Sequence, residues 1–155
     1  MLKSPEMILC AVRKIAVAAL PEELVRQALL QRMIEQLGYP PTLLAVEKEL
    51  SQLPHLALHR TKLPKRRADI LCFAKGIHPA YDLYPLLLIE CKAIPLNAKV
   101  ITQVMGYNHF VDARFICVAN QQEINTGWYD SSKKELQTIS FLPKYKELIL
   151  QNYLV

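Results

Sequence analysis

Two carboxylates and a lysine follow neighbouring apolar segments of this 155-residue chain. Asp69 stands in Arg67-Ala68-Asp69-Ile70, and Glu90-Cys91-Lys92 ends the apolar run of residues 86–89. Carboxylate oxygens are preferred ligands of Mg²⁺, and bound Mg²⁺ can activate water and offset charge on a phosphate. These residues are therefore the smallest set of side chains with which metal-dependent cleavage of a phosphodiester can occur.

In this interpretation Asp69 and Glu90 are metal ligands, and the backbone carbonyl of Cys91 is a third. Lys92 orients or deprotonates the attacking water, or offsets charge on the phosphate. A surface ion pair at a strand end is the alternative, because Glu-x-Lys alone occurs by chance in many proteins. Because Asp69 stands on the preceding strand, these residues favour the metal site and the surface ion pair about equally.

Three strands are predicted to position these residues. Residues 68–73, 84–91 and 115–119 are rich in apolar side chains, and turn residues between the first two segments predict a hairpin. Residues 97–111 carry apolar side chains at helical spacing, so a helix is expected between the second and third strands. Such a crossover usually makes its flanking strands parallel.

Side chains alternate between the two faces of a strand, so the second strand has a predicted face formed by Leu86, Leu88, Glu90 and Lys92. The apolar run indicates that both faces are covered in the middle of the strand. Charges appear only at its end, where a cleft can open.

A helix is predicted from Pro21 to about Leu37, with Gly38 as its stop. Its apolar side chains cover a wide arc, so the helix should be largely buried. These side chains are Val25, Leu29, Leu30, Met33, Ile34 and Leu37. Glu23 falls on this arc and Glu22 lies near it, so the helical wheel does not choose between them.

The remaining segments have weaker patterns. Residues 42–50 are ambiguous between a helix and a strand, 128–129 and 138–141 predict short strands, and 144–153 predict a terminal helix. The expected fold is α/β, bordering on α+β, with helices on both sides of a central mixed sheet. One domain is expected over residues 1–155, a length that can bury a single core.

Composition narrows the class of partner and compartment. The net charge of +5 favours a polyanionic partner such as DNA. Four cysteines without metal-ligand spacing predict reduced structural thiols and a cytoplasmic protein. Charged residues interrupt the apolar stretches of residues 1–20, so neither a signal peptide nor a membrane span is expected.

The motifs together resemble the PD-(D/E)xK nuclease superfamily. The likeness rests on Arg67-Ala68-Asp69, on the strand ending in Glu90-Cys91-Lys92, and on Gln103-Val104-Met105-Gly106-Tyr107 in the next helix. More narrowly, the chain resembles the N-terminal nuclease domain family of type I restriction enzyme R subunits, which has small stand-alone members. Further similar segments are Arg13-Lys14, residues 21–27 and residues 37–40. Ala68 stands where the superfamily's name has proline.

This resemblance implies a restriction-endonuclease-like core that hydrolyses DNA with Mg²⁺, for which Mn²⁺ can substitute. It implies a catalytic set of Asp69, Glu90 and Lys92, with Glu23 completing the metal site from the first helix. A helicase or another restriction or repair subunit would be a separate chain, since no glycine-rich phosphate loop is present. A homodimer stays open.

Gln103 and Tyr107 lie one helical turn apart and would line the same cleft. Gln103 would act with the catalytic residues by hydrogen-bonding near Lys92 or the backbone phosphate, and Tyr107 would pack or stack behind it. The alternative is that both side chains simply pack against the sheet.

The densest basic stretch comes immediately before Asp69 and could grip DNA phosphates at the mouth of the cleft. It consists of Arg60, Lys62, Lys65, Arg66 and Arg67. The alternative is a solvated loop. Glu47 and Glu49 could supply an extra ligand, although a surface position explains them better.

Three functions follow from these residues. The first is a Mg²⁺-dependent deoxyribonuclease. The second is a nucleic-acid-binding or assembly module of the same fold with negligible turnover. The third is a structural protein in which Glu90 and Lys92 merely pair.

Overall fold

The computed structural model describes residues 3–56 and 63–153. Its strands are β1 Met7–Leu9, β2 Ala16–Ala18, β3 Leu44–Glu49, β4 Arg67–His78, β5 Tyr81–Cys91, β6 Phe115–Ala119, β7 Ile124–Asp130 and β8 Glu135–Ile139. Its α-helices are α1 Pro21–Glu35, α2 Ala98–Val111 and α3 Tyr145–Tyr153. Short 3₁₀ turns occur at Pro41–Leu43, Leu50–Gln52 and Pro54–Leu56.

Strands β3 to β8 form one sheet in sequence order, and β1 and β2 form a separate two-stranded sheet. The β4 and β5 strands pair antiparallel, which confirms the predicted hairpin. The β5 and β6 strands pair parallel on either side of α2, which confirms the predicted crossover. The other pairs of the large sheet are antiparallel, so the sheet is mixed. The α/β expectation is confirmed.

Two apolar cores cover the two faces of the large sheet. The first contains buried side chains of α1 and α3, including Leu30, Met33 and Leu148. The second contains buried side chains of α2 and of the 3₁₀ turns Leu50–Gln52 and Pro54–Leu56, including Val104 and Leu50. Helices therefore lie on both faces of the sheet, as a strand apolar on both sides requires.

The alternation along β5 is interrupted once. Leu88 packs in the core beside α2, while Leu87 and Ile89 pack in the core beside α1. Leu86 was expected with Leu88, but it packs beside α1. The reason is an irregularity in the pairing with β4, because Cys72 pairs with Leu87 while the next residue of β4 pairs with Pro85. That single prediction is wrong, and the alternation resumes before Glu90.

The α1 helix begins at Pro21, as predicted, and has no side-chain cap at Leu20. It ends two residues before the expected Leu37. Gly38 follows with φ +73°, a left-handed conformation that glycine adopts without a steric penalty. This turn lets the chain leave the helix and return to the sheet.

The end of α1 is tied to the C-terminal helix. Tyr39 is fully buried, and its hydroxyl donates a hydrogen bond to the Pro143 carbonyl at 2.7 Å. The Tyr145 N–H donates to the Leu37 carbonyl at 3.0 Å. Two regions far apart in the sequence thereby close one corner of the core.

The structure resolves the ambiguous segment and adds elements. Residues 44–49 form β3, while β7 and β8 replace the two short strands predicted near residues 128 and 138. The β1 and β2 strands were not expected, because three-residue strands carry too short a pattern to detect. All four cysteines are buried free thiols. No helix in the described part of the chain is long and apolar enough to cross a membrane.

Candidate functional site

The Asp69 and Glu90 side chains come together at one end of the β4 and β5 hairpin. Ile70 pairs with Ile89, so the two carboxylate residues occupy the next positions along the two strands. Asp69 is 15% exposed, and its Oδ2 accepts a hydrogen bond from the Cys91 backbone N–H at 2.8 Å. The hairpin thus brings together the two acidic residues that the sequence singled out.

The Glu90 carboxyl group is almost fully buried. Its exposed fraction is 3%, and its Oε1 has no hydrogen-bond partner among the described residues. Burial raises the pKa of this carboxyl well above its usual range, and the neighbouring Asp69 charge raises it further. The positive charges of Arg66 and Lys92 act in the opposite direction. A buried acceptor in this position is satisfied by a proton or by a cation.

Lys92 follows Glu90 at the end of β5 and is half-buried. Its backbone N–H donates to the Ala119 carbonyl at 2.8 Å, which extends the contact between β5 and β6. The Cys91 thiol is buried in the core beside α1, so it does not belong to the site. Its carbonyl remains the predicted ligand.

Arg26 is the residue of this site that sequence analysis missed. Its guanidinium comes from α1 and is buried, with 5% of the residue exposed. Its Nη1 donates to Glu23, and its Nη2 donates to Glu47 at 2.8 Å and to Asp69 at 3.0 Å. Burial acts to lower the pKa of the guanidinium, but the three carboxylates outweigh burial and the pKa is raised.

A sequence signal for Arg26 existed. Leu30 and Met33 stand four and seven residues later, so Arg26 lies on the buried arc of the predicted helix. A charged residue on such an arc needs a buried partner of opposite charge.

Glu23 faces the site, whereas Glu22 is exposed, which resolves the ambiguity of the helical wheel. The Glu23 carboxylate accepts hydrogen bonds from Arg13 at 3.1 Å, from Gln27 at 2.9 Å and from Arg26. Arg26 therefore donates to both Glu23 and Asp69. The role of Glu23 as a metal ligand stays a prediction.

Tyr107 lies under Arg66 and close to Glu90. The Arg66 guanidinium carbon is 4.2 Å from the centre of the Tyr107 ring, a cation–π contact. Tyr107 is 4% exposed, and in the described part of the chain its hydroxyl has no hydrogen-bond partner. Burial raises the pKa of this hydroxyl, and the charge of Glu90 adds to the effect. The ring is packed within the protein, and Arg66 above it is half-buried.

The other predicted residues lie further out. Gln103 is exposed on α2, and none of the hydrogen bonds between described residues involves its side chain. Lys65 is exposed, and the 59% exposed Arg67 side chain pairs with Glu47 at 3.7 Å and with Glu49 at 3.5 Å. Arg60 and Lys62 lie outside the described residues.

The Asp69 and Glu90 pair suits a small hard cation. Mg²⁺ usually binds through one or two carboxylates and fills its remaining positions with water and substrate phosphate. The buried Glu90 Oε1, which lacks a partner among the described residues, is an acceptor of the type that Mg²⁺ requires. Within residues 3–56 and 63–153, no three His, Cys, Asp or Glu side chains form a group that could hold a metal ion. The described residues therefore offer a pair of carboxylates rather than a full set of metal ligands.

Comparison with known protein families gives a match over most of the chain. Residues 21–143 match the family model described as type I restriction enzyme R protein N terminus, which spans most of the chain. No curated protein and no solved structure matches the chain. The matched segment includes α1, the hairpin and α2, the elements that carry the candidate site. The chain belongs to the family of type I restriction enzyme R protein N termini.

Proposed function

We propose that this protein hydrolyses DNA phosphodiester bonds with a divalent cation held by Asp69 and Glu90. The observation that carries the proposal is the buried Glu90 carboxylate, which has an oxygen without a hydrogen-bond partner among the described residues and lies beside a second carboxylate. Membership of a restriction-enzyme family supports a nuclease-related role. The predicted cofactor is Mg²⁺, with Mn²⁺ as a substitute.

Each residue has a distinct task in this proposal. Asp69, Glu90 and the Cys91 carbonyl hold the cation, which supplies Lewis-acid stabilisation of charge on the phosphate. Lys92 orients the water that attacks phosphorus by donating from its ammonium group, or accepts a proton from that water as a neutral amine, since the half-buried side chain directly follows a ligand. Arg66 binds a phosphate oxygen, because its half-buried guanidinium lies above Tyr107 and close enough to Glu90 to act on its charge.

Cleavage assays on plasmid and single-stranded DNA test the proposal. With Mg²⁺ or Mn²⁺, the wild-type chain should cut DNA, and EDTA should stop it. Asp69→Ala and Glu90→Ala should abolish cleavage, and Lys92→Ala should reduce its rate by at least about 100-fold. Asp82→Asn is the matched control, because Asp82 is an exposed carboxylate at the other end of β5. Unchanged digestion by all three alanine variants would contradict the proposal.

A second candidate function is binding of nucleic acid without turnover. Arg26 already occupies Asp69 Oδ1, and no third acidic, histidine or cysteine ligand completes the site in the described residues. This function predicts salt-sensitive DNA binding that EDTA does not alter. Metal-stimulated cleavage by the wild-type chain would exclude it.

The family name also bears on partners. Its description refers to the R protein of a type I restriction enzyme, which supports contact with DNA and assembly with other subunits. A helicase as a separate chain and a homodimer stay predictions. Size measurement of the purified chain, alone and with DNA, tests the homodimer directly.

A further inference from the structure

Both oxygens of Asp69 are held by the protein. Oδ1 accepts a hydrogen bond from Arg26 Nη2 at 3.0 Å, and Oδ2 accepts one from the Cys91 N–H at 2.8 Å. A carboxylate has about four acceptor positions, so about two remain for other partners. Because one donor belongs to α1 and the other to β5, the plane of the carboxylate is defined by two separate elements.

Arg26 is itself held from two further directions. Its Nη1 donates to Glu23 one turn earlier on α1, and its Nη2 also donates to Glu47 on β3 at 2.8 Å. A guanidinium is planar and presents its donors in a fixed fork, so acceptors on several sides determine its orientation. The position of Asp69 is therefore linked to α1 and β3 through one rigid cation.

The backbone at Glu47 supports a specific role for this contact. Glu47 lies inside β3 with φ +57°, a left-handed conformation that is unfavourable for a residue with a β-carbon. The strand pairs regularly with β4 on both sides, at Val46 with Ile70 and at Lys48 with Ala68. The unfavourable residue is thus the one whose carboxylate reaches Arg26.

We propose that Arg26 is a positioning residue that fixes the Asp69 carboxylate in the orientation needed to share a cation with Glu90, and that Glu47 and Glu23 hold Arg26 in place. The inference rests on the proposed function. Arg26 acts through Asp69 and does not touch the reacting atoms. An ordinary buried ion pair would need neither a strained Glu47 nor contact with a candidate ligand.

The conservative variant Arg26→Lys separates positioning from charge. Lysine keeps the positive charge but cannot donate to acceptors on three sides from a planar fork. In calorimetric titration with Mn²⁺, we expect Arg26→Lys to bind about 10- to 100-fold more weakly than wild type, the usual effect of losing a contact that orients a ligand. Arg32→Lys is the matched control, because Arg32 is exposed on the same helix, and it should bind Mn²⁺ as wild type does.

A second measurement does not depend on metal. In EDTA, amide hydrogen exchange at Cys91 reports the hydrogen bond to Asp69 Oδ2. Arg26→Lys should speed exchange at Cys91 by about tenfold, with no change at Ile89 on the same strand. Glu47→Gln should also speed exchange at the Cys91 amide, by a smaller factor. This variant provides the test if Arg26→Lys does not fold.

Failure of the proposed function and failure of the positioning role of Arg26 give different results. A wild-type chain that neither binds Mn²⁺ nor cleaves DNA overturns the proposed function, and the Cys91 amide still decides whether Arg26 positions Asp69. Folded Arg26→Lys and Glu47→Gln variants with unchanged Cys91 exchange overturn the positioning role, whatever the wild type does with metal.

Discussion

Glu90 is a residue whose position costs stability. Its carboxyl group is buried beside Asp69. Without a bound metal ion, two negative charges in this position are unfavourable. Residues that serve a reaction are often retained although they destabilise the fold. The raised pKa of Glu90 is the direct sign of that conflict.

Replacing this carboxyl by an amide should therefore separate stability from activity. In EDTA at neutral pH, Glu90→Gln should raise the free energy of unfolding by about 1 kcal/mol, because the amide keeps the shape and, unlike a carboxyl group with a raised pKa, is buried without first binding a proton. Chemical denaturation measures the change, with Asp82→Asn as the exposed control. The same variant should lack DNA cleavage. A clear loss of stability on this substitution would show that the buried carboxyl group is favourable in the fold.

At the scale of elements, the two longer helices begin differently. The Asn97 side chain caps α2 by accepting the Val100 N–H at 3.0 Å, whereas Leu20 precedes α1 with extended backbone and no side-chain hydrogen bond. The first turn of α1 carries Glu22 and Glu23, which interact favourably with the positive end of the helix dipole. The helix that contains Arg26 therefore begins without a side-chain N-cap.

Substitutions at these two caps should have opposite signs. Asn97→Ala should lower the free energy of unfolding by about 1 kcal/mol, since the Val100 N–H loses its acceptor. Leu20→Asp should raise it by about the same amount, because Leu20 is exposed and already has the backbone conformation of a capping residue. Thermal denaturation of both variants measures the effects. Equal signs would mean that tertiary contacts, rather than caps, determine both helix starts.

At the scale of the whole molecule, the net charge of +5 favours binding to a polyanion such as DNA. The basic residues differ, however, in whether their charge is already paired with a carboxylate. Arg67 is paired with Glu47 and Glu49, while Lys65 is exposed and none of the ion pairs between described residues involves it. Only cations that are free to approach phosphate contribute fully to the salt dependence of binding.

DNA binding should therefore respond more to Lys65 than to a distant lysine. We expect Lys65→Ala to reduce the slope of log affinity against log salt by about 1, the value for one phosphate contact. Lys75→Ala is the control, because Lys75 is exposed near the opposite end of β4 from Asp69. Fluorescence anisotropy over a range of salt concentrations measures both slopes. An equal change for the two lysines would indicate diffuse attraction rather than a defined path for DNA.

The sequence predicted the hairpin, the crossover and the first helix because long apolar runs and a helical spacing are local patterns. It also predicted that Asp69 and Glu90 would meet, since the ends of paired strands lie together. The helical spacing could have placed Arg26 on the buried arc of α1, but it could not predict the partners Glu47 and Asp69, because those contacts join segments that no local pattern relates. For the same reason the segment that forms β3 stayed ambiguous between a helix and a strand. The assignments of Glu23 as a ligand and Gln103 as a catalytic residue came from resemblance and stay predictions.

The contact of Tyr39 with Pro143 has a consequence for synthesis. Its two partners are 104 residues apart, so the end of α1 leaves the ribosome long before the segment that covers it. At 5–20 residues per second the delay is about 5–20 s. During that interval α1 can already pack on β5, but the Tyr39 hydroxyl lacks the carbonyl that it needs when buried, so this corner of the core is the last to be completed.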